Sequence, residues 1–172
     1  MDLSCLKNIF LMADMVLKRS PEARAMVKGS AAHPEIEGTV SFYETGSGVI
    51  VLADFKGLPV GQGPCPGGVF GFHIHEGGSC SGNEKDPLAD VGGHYNPGKC
   101  PHPYHAGDLP PLFGNNGMAW MAFLTDRFTV GEVLDRTVIV HGAPDDFTTQ
   151  PSGNSGEKIA CGVIKCVECE SD

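Results

Sequence analysis

Basic side chains are scarce in this sequence: 12 Lys and Arg stand against 21 Asp and Glu, giving a net charge of -9 at neutral pH. An averaged field of that sign repels phosphate backbones and anionic lipid headgroups, so neither nucleic acid nor a membrane surface is an expected partner. Long apolar runs are missing too. In the opening MDLSCLKNIFLMADMVLKRS the longest uncharged apolar stretch runs from Ile9 to Ala13, between Asn8 and Asp14. That is too short and too interrupted for the core of a signal peptide, and the basic leader is absent. A cytoplasmic protein, or one exported by an unconventional route, is the expectation, with Met12 as an alternative start.

What is present points to one folded domain. A chain of 172 residues can remove roughly 70% of its unfolded surface from water. With 41% apolar and 19% charged residues it is too apolar for intrinsic disorder. Its 24 Gly and 13 Pro make up about a fifth of the chain, below the level of low-complexity disorder but heavy for a helical bundle, which implies many turns. Seven cysteines (Cys5, Cys65, Cys80, Cys100, Cys161, Cys166 and Cys169) are many for a reducing compartment, and the odd count leaves at least one thiol unpaired.

Up to Arg24 no period of two is visible, and this stretch reads as an extension. From Glu35 the pattern changes: Ile36, Gly38, Val40 and Phe42 alternate with Glu37, Thr39, Ser41 and Tyr43, as in a half-buried strand. A second strand from Val49 to Lys56, behind Thr45-Gly46-Ser47-Gly48, makes a hairpin. Val69 to His75, Met118 to Leu124, Thr137 to His141 and Ile159 to Ile164 complete the strands expected, and short strands at short spacing predict an all-β antiparallel sandwich or barrel. Glu76 to Phe113 and Gly142 to Glu157 break the rhythm as long polar loops, which in a compact β domain are usually functional.

Histidines gather where strands meet these loops. Of the seven, six (His73, His75, His94, His102, His105 and His141) fall in that region, and His33 stands apart. Alternation puts Phe70, Phe72 and Ile74 on one face of their strand and His73 with His75 on the other. It likewise turns Val138 and Val140 inward and brings Ile139 and His141 to an outer face. In the group His94, His102, His105 and Asp108, the residues Pro97, Pro101 and Pro103 exclude a helix, so a loop must bend to collect the donors. Three imidazoles and a carboxylate form a closed tetrahedral set suited to Zn²⁺, and four imidazoles suit Cu²⁺. Both sets together ask for more donors than there are residues, so one histidine must serve both ions through its two ring nitrogens. A lone His-x-His pair is ordinarily exposed polar decoration; the joint arrangement is what argues for metal.

The strings Gly71-Phe72-His73-Ile74-His75-Glu76, Gly92-Gly93-His94-Tyr95-Asn96-Pro97, His105-Ala106-Gly107-Asp108-Leu109, Val138-Ile139-Val140-His141 and Ala160-Cys161-Gly162-Val163 resemble copper/zinc superoxide dismutases. The resemblance spans about Ala25 to Ile164. It implies an eight-stranded antiparallel Greek-key β-barrel or flattened sandwich with two long functional loops, the fold class recorded for that family. It divides the chain into an extension over 1–24, the dismutase-like domain over 25–165 and a cysteine-containing tail over 166–172. Copper ligands would be His73, His75, His94 and His141; zinc ligands would be His94, His102, His105 and Asp108, with His94 shared. Asp145 would hydrogen-bond one histidine of each set, and Cys80 would pair with Cys161 across a loop of about 80 residues. The implied reaction takes superoxide as substrate and gives dioxygen and hydrogen peroxide. Copper alternates between Cu²⁺ and Cu⁺, His94 carries a proton, and a cation draws in the anion. A homodimer is allowed as the assembly.

The chain departs from the family's pattern at several points. Lys158 stands where the family has an arginine, and a compact ammonium without a planar fork implies less well aimed anion docking and a slower enzyme. Glu157, Asp145 and Asp146 add little attraction for an anion. Only two residues separate His102 from His105, a short zinc loop of the kind found in some bacterial members, and Cys100 within it is a further thiol able to compete for zinc. The closing Cys166-Val167-Glu168-Cys169 lies beyond the family's usual end. Two other functions are weighed. A metal-binding or copper-delivery module without significant turnover would explain Lys158 and the extra cysteines, but all four copper ligands are retained. A zinc hydrolase lacks a general base near His102, and four ligands leave zinc no open position.

Overall fold

The computed structural model describes residues 19–64 and 67–167. Nine strand segments follow in order: β1 (Ala23–Gly29), β2 (Glu37–Thr45), β3 (Gly48–Lys56), β4 (Gly68–Phe70), β5 (Phe72–His75), β6 (Leu112–Gly114), β7 (Ala119–Thr125), β8 (Thr137–His141) and β9 (Lys158–Cys166). A single helical turn, α1 (Val130–Val133), lies between β7 and β8. One seven-stranded antiparallel sheet runs β5-β8-β9-β1-β2-β3-β7, and β4 pairs with β6 in a small second sheet. The neighbours β5–β8 and β3–β7 are not consecutive in sequence, which is the long-return connection of a Greek key. The sheet curls around its apolar face, and β4 with β6 lies between its two ends, so the expected barrel is present.

The eight strands that the resemblance implies are counted when β4 and β5 are taken as one strand interrupted at Gly71. There the backbone leaves the ladder: Gly71 N–H donates to the Ala143 carbonyl at 2.8 Å, and the Gly71 carbonyl accepts from His141 N–H at 2.8 Å. A Cβ on Gly71 would stand 2.8 Å from Ser155 Cβ, so only glycine lets the 142–157 loop pass this close.

The core is the inward half of each alternation. Ala23, Ala25 and Val27 of β1, Val40 and Phe42 of β2, Val49, Val51, Ala53 and Phe55 of β3, and Val138 and Val140 of β8 share one buried cluster. Phe55 and Phe72 meet edge-on with ring centres 6.0 Å apart. β1 was not foreseen, nor was β6, which sits at the end of what reads as loop. β1 takes in Ala23 and Arg24, and Ala23 pairs with Cys166 at the far end of β9. The reading of β8 needs one correction. Its alternation holds, but the face carrying Ile139 and His141 is not open: every residue of β8 is buried. Ile139 packs with Leu88, Val91 and Cys161 in a second small cluster that roofs the sheet. The Cys80–Cys161 disulfide ties that roof to β9.

Candidate metal centre

β5 is the platform of the site. Backbone hydrogen bonds stitch both ends of the 94–108 loop to it: Tyr95 N–H donates to the Ile74 carbonyl at 2.8 Å, Ile74 N–H to the Gly107 carbonyl at 2.9 Å, and Leu109 N–H to the Phe72 carbonyl at 3.3 Å. His75 thereby faces His94, and His73 faces Asp108. Further out, the Arg127 Nη1 donor lies 3.1–3.2 Å from the carbonyl oxygens of Pro103, His105 and Asp108. Gln150 exchanges two hydrogen bonds with the backbone of His102, at 2.9 and 2.7 Å.

Two donor sets result, all of them buried: His73, His75, His94 and His141 in one, and His94, His102, His105 and Asp108 in the other, with the donor atoms of each set within 4.8 Å of one another. The ring nitrogens divide between ligand-facing and support-facing roles. His73 uses Nε2 on Asp145 Oδ2 (2.8 Å), and His75 uses Nδ1 on the Gly92 carbonyl (2.9 Å). His141 uses Nδ1 on the Gly156 carbonyl (3.3 Å), and the Nε2 atoms of His75 and His141 converge at 3.3 Å. His94 Nδ1 turns to Asp108 Oδ1 at 2.7 Å. The fully buried ring nitrogens left without a hydrogen-bond partner are His73 Nδ1, His94 Nε2, His102 Nδ1 and His105 Nδ1, the last two lying 3.1 and 3.3 Å from the carboxylate oxygens of Asp108. Buried polar atoms are rarely orphaned without a reason, and these four face the interiors of the two sets. The residues therefore fit two cations, His94 presenting one nitrogen to each.

Asp145 connects the sets from behind. Its Oδ2 accepts from His73 and its Oδ1 from His102 Nε2 at 2.9 Å, which keeps Nδ1 of each ring free as a lone pair. Gly153 makes room for it: in its left-handed conformation (φ 66°) a Cβ would overlap Asp145 Oδ1. Replacing Asp145→Ala is expected to weaken zinc retention by about 10–100-fold and to release zinc before copper, read by metal analysis during dialysis. Full retention of both metals would show that Asp145 is not the link.

Burial holds His75 at a pKa of about 3, with His94 adding to the depression, and His141 at about 4. Burial together with the neighbouring rings drives His73 far below the ordinary imidazole range. Burial is the largest single influence on Asp108 and works to raise it, but the hydrogen bond and charge of His94 together with those of His105 outweigh it, and the carboxyl lies below its usual value. All of these groups are thus ligand-ready near neutral pH. In the metal-free protein the unfolded chain protonates its histidines near pH 6.5 while folded His75 and His141 do not, so the unfolded state binds more protons and stability falls as pH is lowered. The melting temperature of the metal-free protein is expected to drop by several degrees between about pH 7 and about pH 4.5; calorimetry giving a flat profile would contradict the buried neutral state.

Lys158 shares the opening above the first set with His75, His94 and His141. Its Nζ is paired with Asp86 Oδ2 at 2.6 Å, a partner not foreseen from the sequence. Gly153 and Arg127 were also missed. Asp86 sits in an Asn-x-x-Asp turn, a local signal of fixed backbone but not of its distant partner. Cys100 is a free, exposed thiol outside both donor sets. Cys5, Cys65 and Cys169, and most of the proposed extension and tail, lie outside the described residues.

The family model for copper/zinc superoxide dismutase matches residues 36–164. The Cu-Zn superoxide dismutase of Escherichia coli (strain K12) is 39% identical over 142 residues, 74% of this chain and 78% of its own length. Superoxide dismutase 2 of the Cu-Zn type from Aquifex aeolicus is 35% identical over 147 residues, 76% of this chain and 80% of its own. That of Brucella abortus is 31% identical over 184 residues, covering 93% of this chain and all of its own length. With a match of this extent and two donor sets sharing one imidazole, the chain belongs to the copper/zinc superoxide dismutase family.

Proposed function

We propose that the protein converts superoxide to dioxygen and hydrogen peroxide. The observation that carries this reading is that His94 offers its two ring nitrogens to two separate buried donor sets. His73, His75, His94 and His141 would hold copper, which would supply one-electron exchange in both directions, as Zn²⁺ in the second set could not. Two superoxide anions and two protons give one dioxygen and one hydrogen peroxide. His94 is the residue placed to hold one of those protons on Nε2 and yield it to the second superoxide, with water giving the other. Its other nitrogen stays with the Asp108 side, so the ring does not swing away. His75 and His141 are oriented by the Gly92 and Gly156 carbonyls, and Lys158 is the cation that draws the anion to the opening.

The test is metal analysis of the purified protein with superoxide decay followed before and after copper is removed. Activity is expected to vanish with copper and return on reloading. Activity that survives copper removal would overturn the reading, and a copper-loaded protein that leaves superoxide untouched would favour a copper-delivery module.

A homodimer is the assembly proposed, supported by exposed Phe113, Met118, Trp120 and Leu124 along β6, β7 and the turn between them, an apolar patch at the rim of the large sheet. Sedimentation velocity showing a monomer at every concentration would end that proposal. A cytoplasmic location is likewise a proposal, and it requires the Cys80–Cys161 bridge to withstand the reducing thiols there.

A further inference from the structure

We infer that Asp86 sets how strongly the metal centre attracts anions, by holding the Lys158 ammonium in an ion pair at the mouth of the site. The inference rests on the dismutase reading only in taking the first donor set as a copper site.

Lys158 lies opposite His141 where the β8–β9 register becomes irregular, and it is the only lysine or arginine among the described residues lining the opening over His75, His94 and His141. The approach of an anion therefore depends on one ammonium. That ammonium is not free. Its Nζ sits 2.6 Å from Asp86 Oδ2, and the Lys158 side chain is only 19% exposed.

The carboxylate is the fixed member of the pair. Asp86 Oδ1 accepts from Leu88 N–H at 3.0 Å, and Asp86 N–H donates to Asn83 Oδ1 at 3.1 Å. The Asp86 carbonyl accepts from Asn83 N–H at 2.9 Å and Ala89 N–H at 3.1 Å. Leu88 next to this turn packs with Ile139 and Cys161, and Cys80 at its start is bonded to Cys161 on the strand that carries Lys158. A lysine stem with four rotatable bonds thus meets an acceptor whose position is decided by the backbone.

A cation paired at this distance presents a much smaller net field to an incoming anion than a free one. Glu76 lines the same opening and Glu157 adjoins Lys158 in sequence, and among the described residues lining it no second lysine or arginine offsets the loss. The Asp86 side chain is 45% exposed, and water screening limits the effect: removing its charge is expected to change anion affinity by about three- to tenfold at low ionic strength.

Azide is the probe, titrated into the copper-loaded holoprotein and followed by its absorption with Cu²⁺, in wild type, Asp86→Asn, Lys158→Gln and the double variant. Asparagine keeps the shape of Asp86 and an acceptor for Leu88 N–H. Asp86→Asn is expected to lower the azide Kd about three- to tenfold at low ionic strength, with most of the gain lost near about 0.5 M salt. The double variant is expected to bind as weakly as Lys158→Gln alone. Unchanged or weaker azide binding in Asp86→Asn would overturn the inference, as would a gain that persists in the Lys158→Gln background. Wild-type protein that follows the expected azide pattern yet consumes no superoxide would uphold the role of Asp86 while removing the dismutase reading.

Discussion

Replacing His94→Ala is expected to lower superoxide consumption per bound copper by about two to four orders of magnitude, the span associated with loss of a positioned proton carrier. The change removes one donor from each set, so zinc binding is expected to weaken in the same protein. His105→Ala separates the two effects. It takes a donor from the zinc set alone and leaves the four rings of the copper set in place, so its rate per copper is expected to fall far less. Stopped-flow superoxide decay, normalised to measured copper, makes the comparison. Equal rates per copper for wild type and His94→Ala would remove the shared ring from the chemistry.

The second large effect concerns stability. Opening the Cys80–Cys161 bridge by the paired change Cys80→Ser and Cys161→Ser is expected to cost about 4 kcal/mol, since the bridge spans 81 residues of sequence and the entropy of the unfolded chain rises accordingly. For a chain of this length that is a fall in melting temperature of roughly 8–16 °C. Because Cys161 also packs with Leu88, Val91 and Ile139, reduced wild-type protein serves as a second measurement that leaves the side chains unchanged. A fall of less than about 3 °C in both would mean that the roof over β8 is held by packing alone.

Much of this molecule is legible in its sequence, and what is not has physical reasons. Strands with large inward residues, such as Phe42 in β2, Phe55 in β3 and Phe72 with Ile74 in β5, announce themselves by alternation. β1 does not, because two of its three inward residues are Ala23 and Ala25, too small to stand out against Arg24, Met26 and Lys28. β6 is three residues long, too short for any period. The burial of His141 follows from a loop folding over β8, and no local pattern records which loop lies on which face. The donor sets were accessible because each ligand is a histidine or aspartate, carried by the strands β5 and β8 or by the long polar loop that leaves β5. The Lys158–Asp86 pair joins residues 72 apart in sequence, and the space left by Gly153 for Asp145 depends on two arms of one loop meeting, so neither has a signature in the chain.

The carbonyls gathered by Arg127, the exchange between Gln150 and His102, and the stitching of the 94–108 loop to β5 are all made by groups other than the donor atoms. Part of the entropic cost of ordering that loop is therefore offset by the protein's own hydrogen bonds and not by metal binding alone. Cation uptake then resembles filling a mould that the scaffold itself shapes, with shedding of water and protons from the donors as a main determinant of affinity.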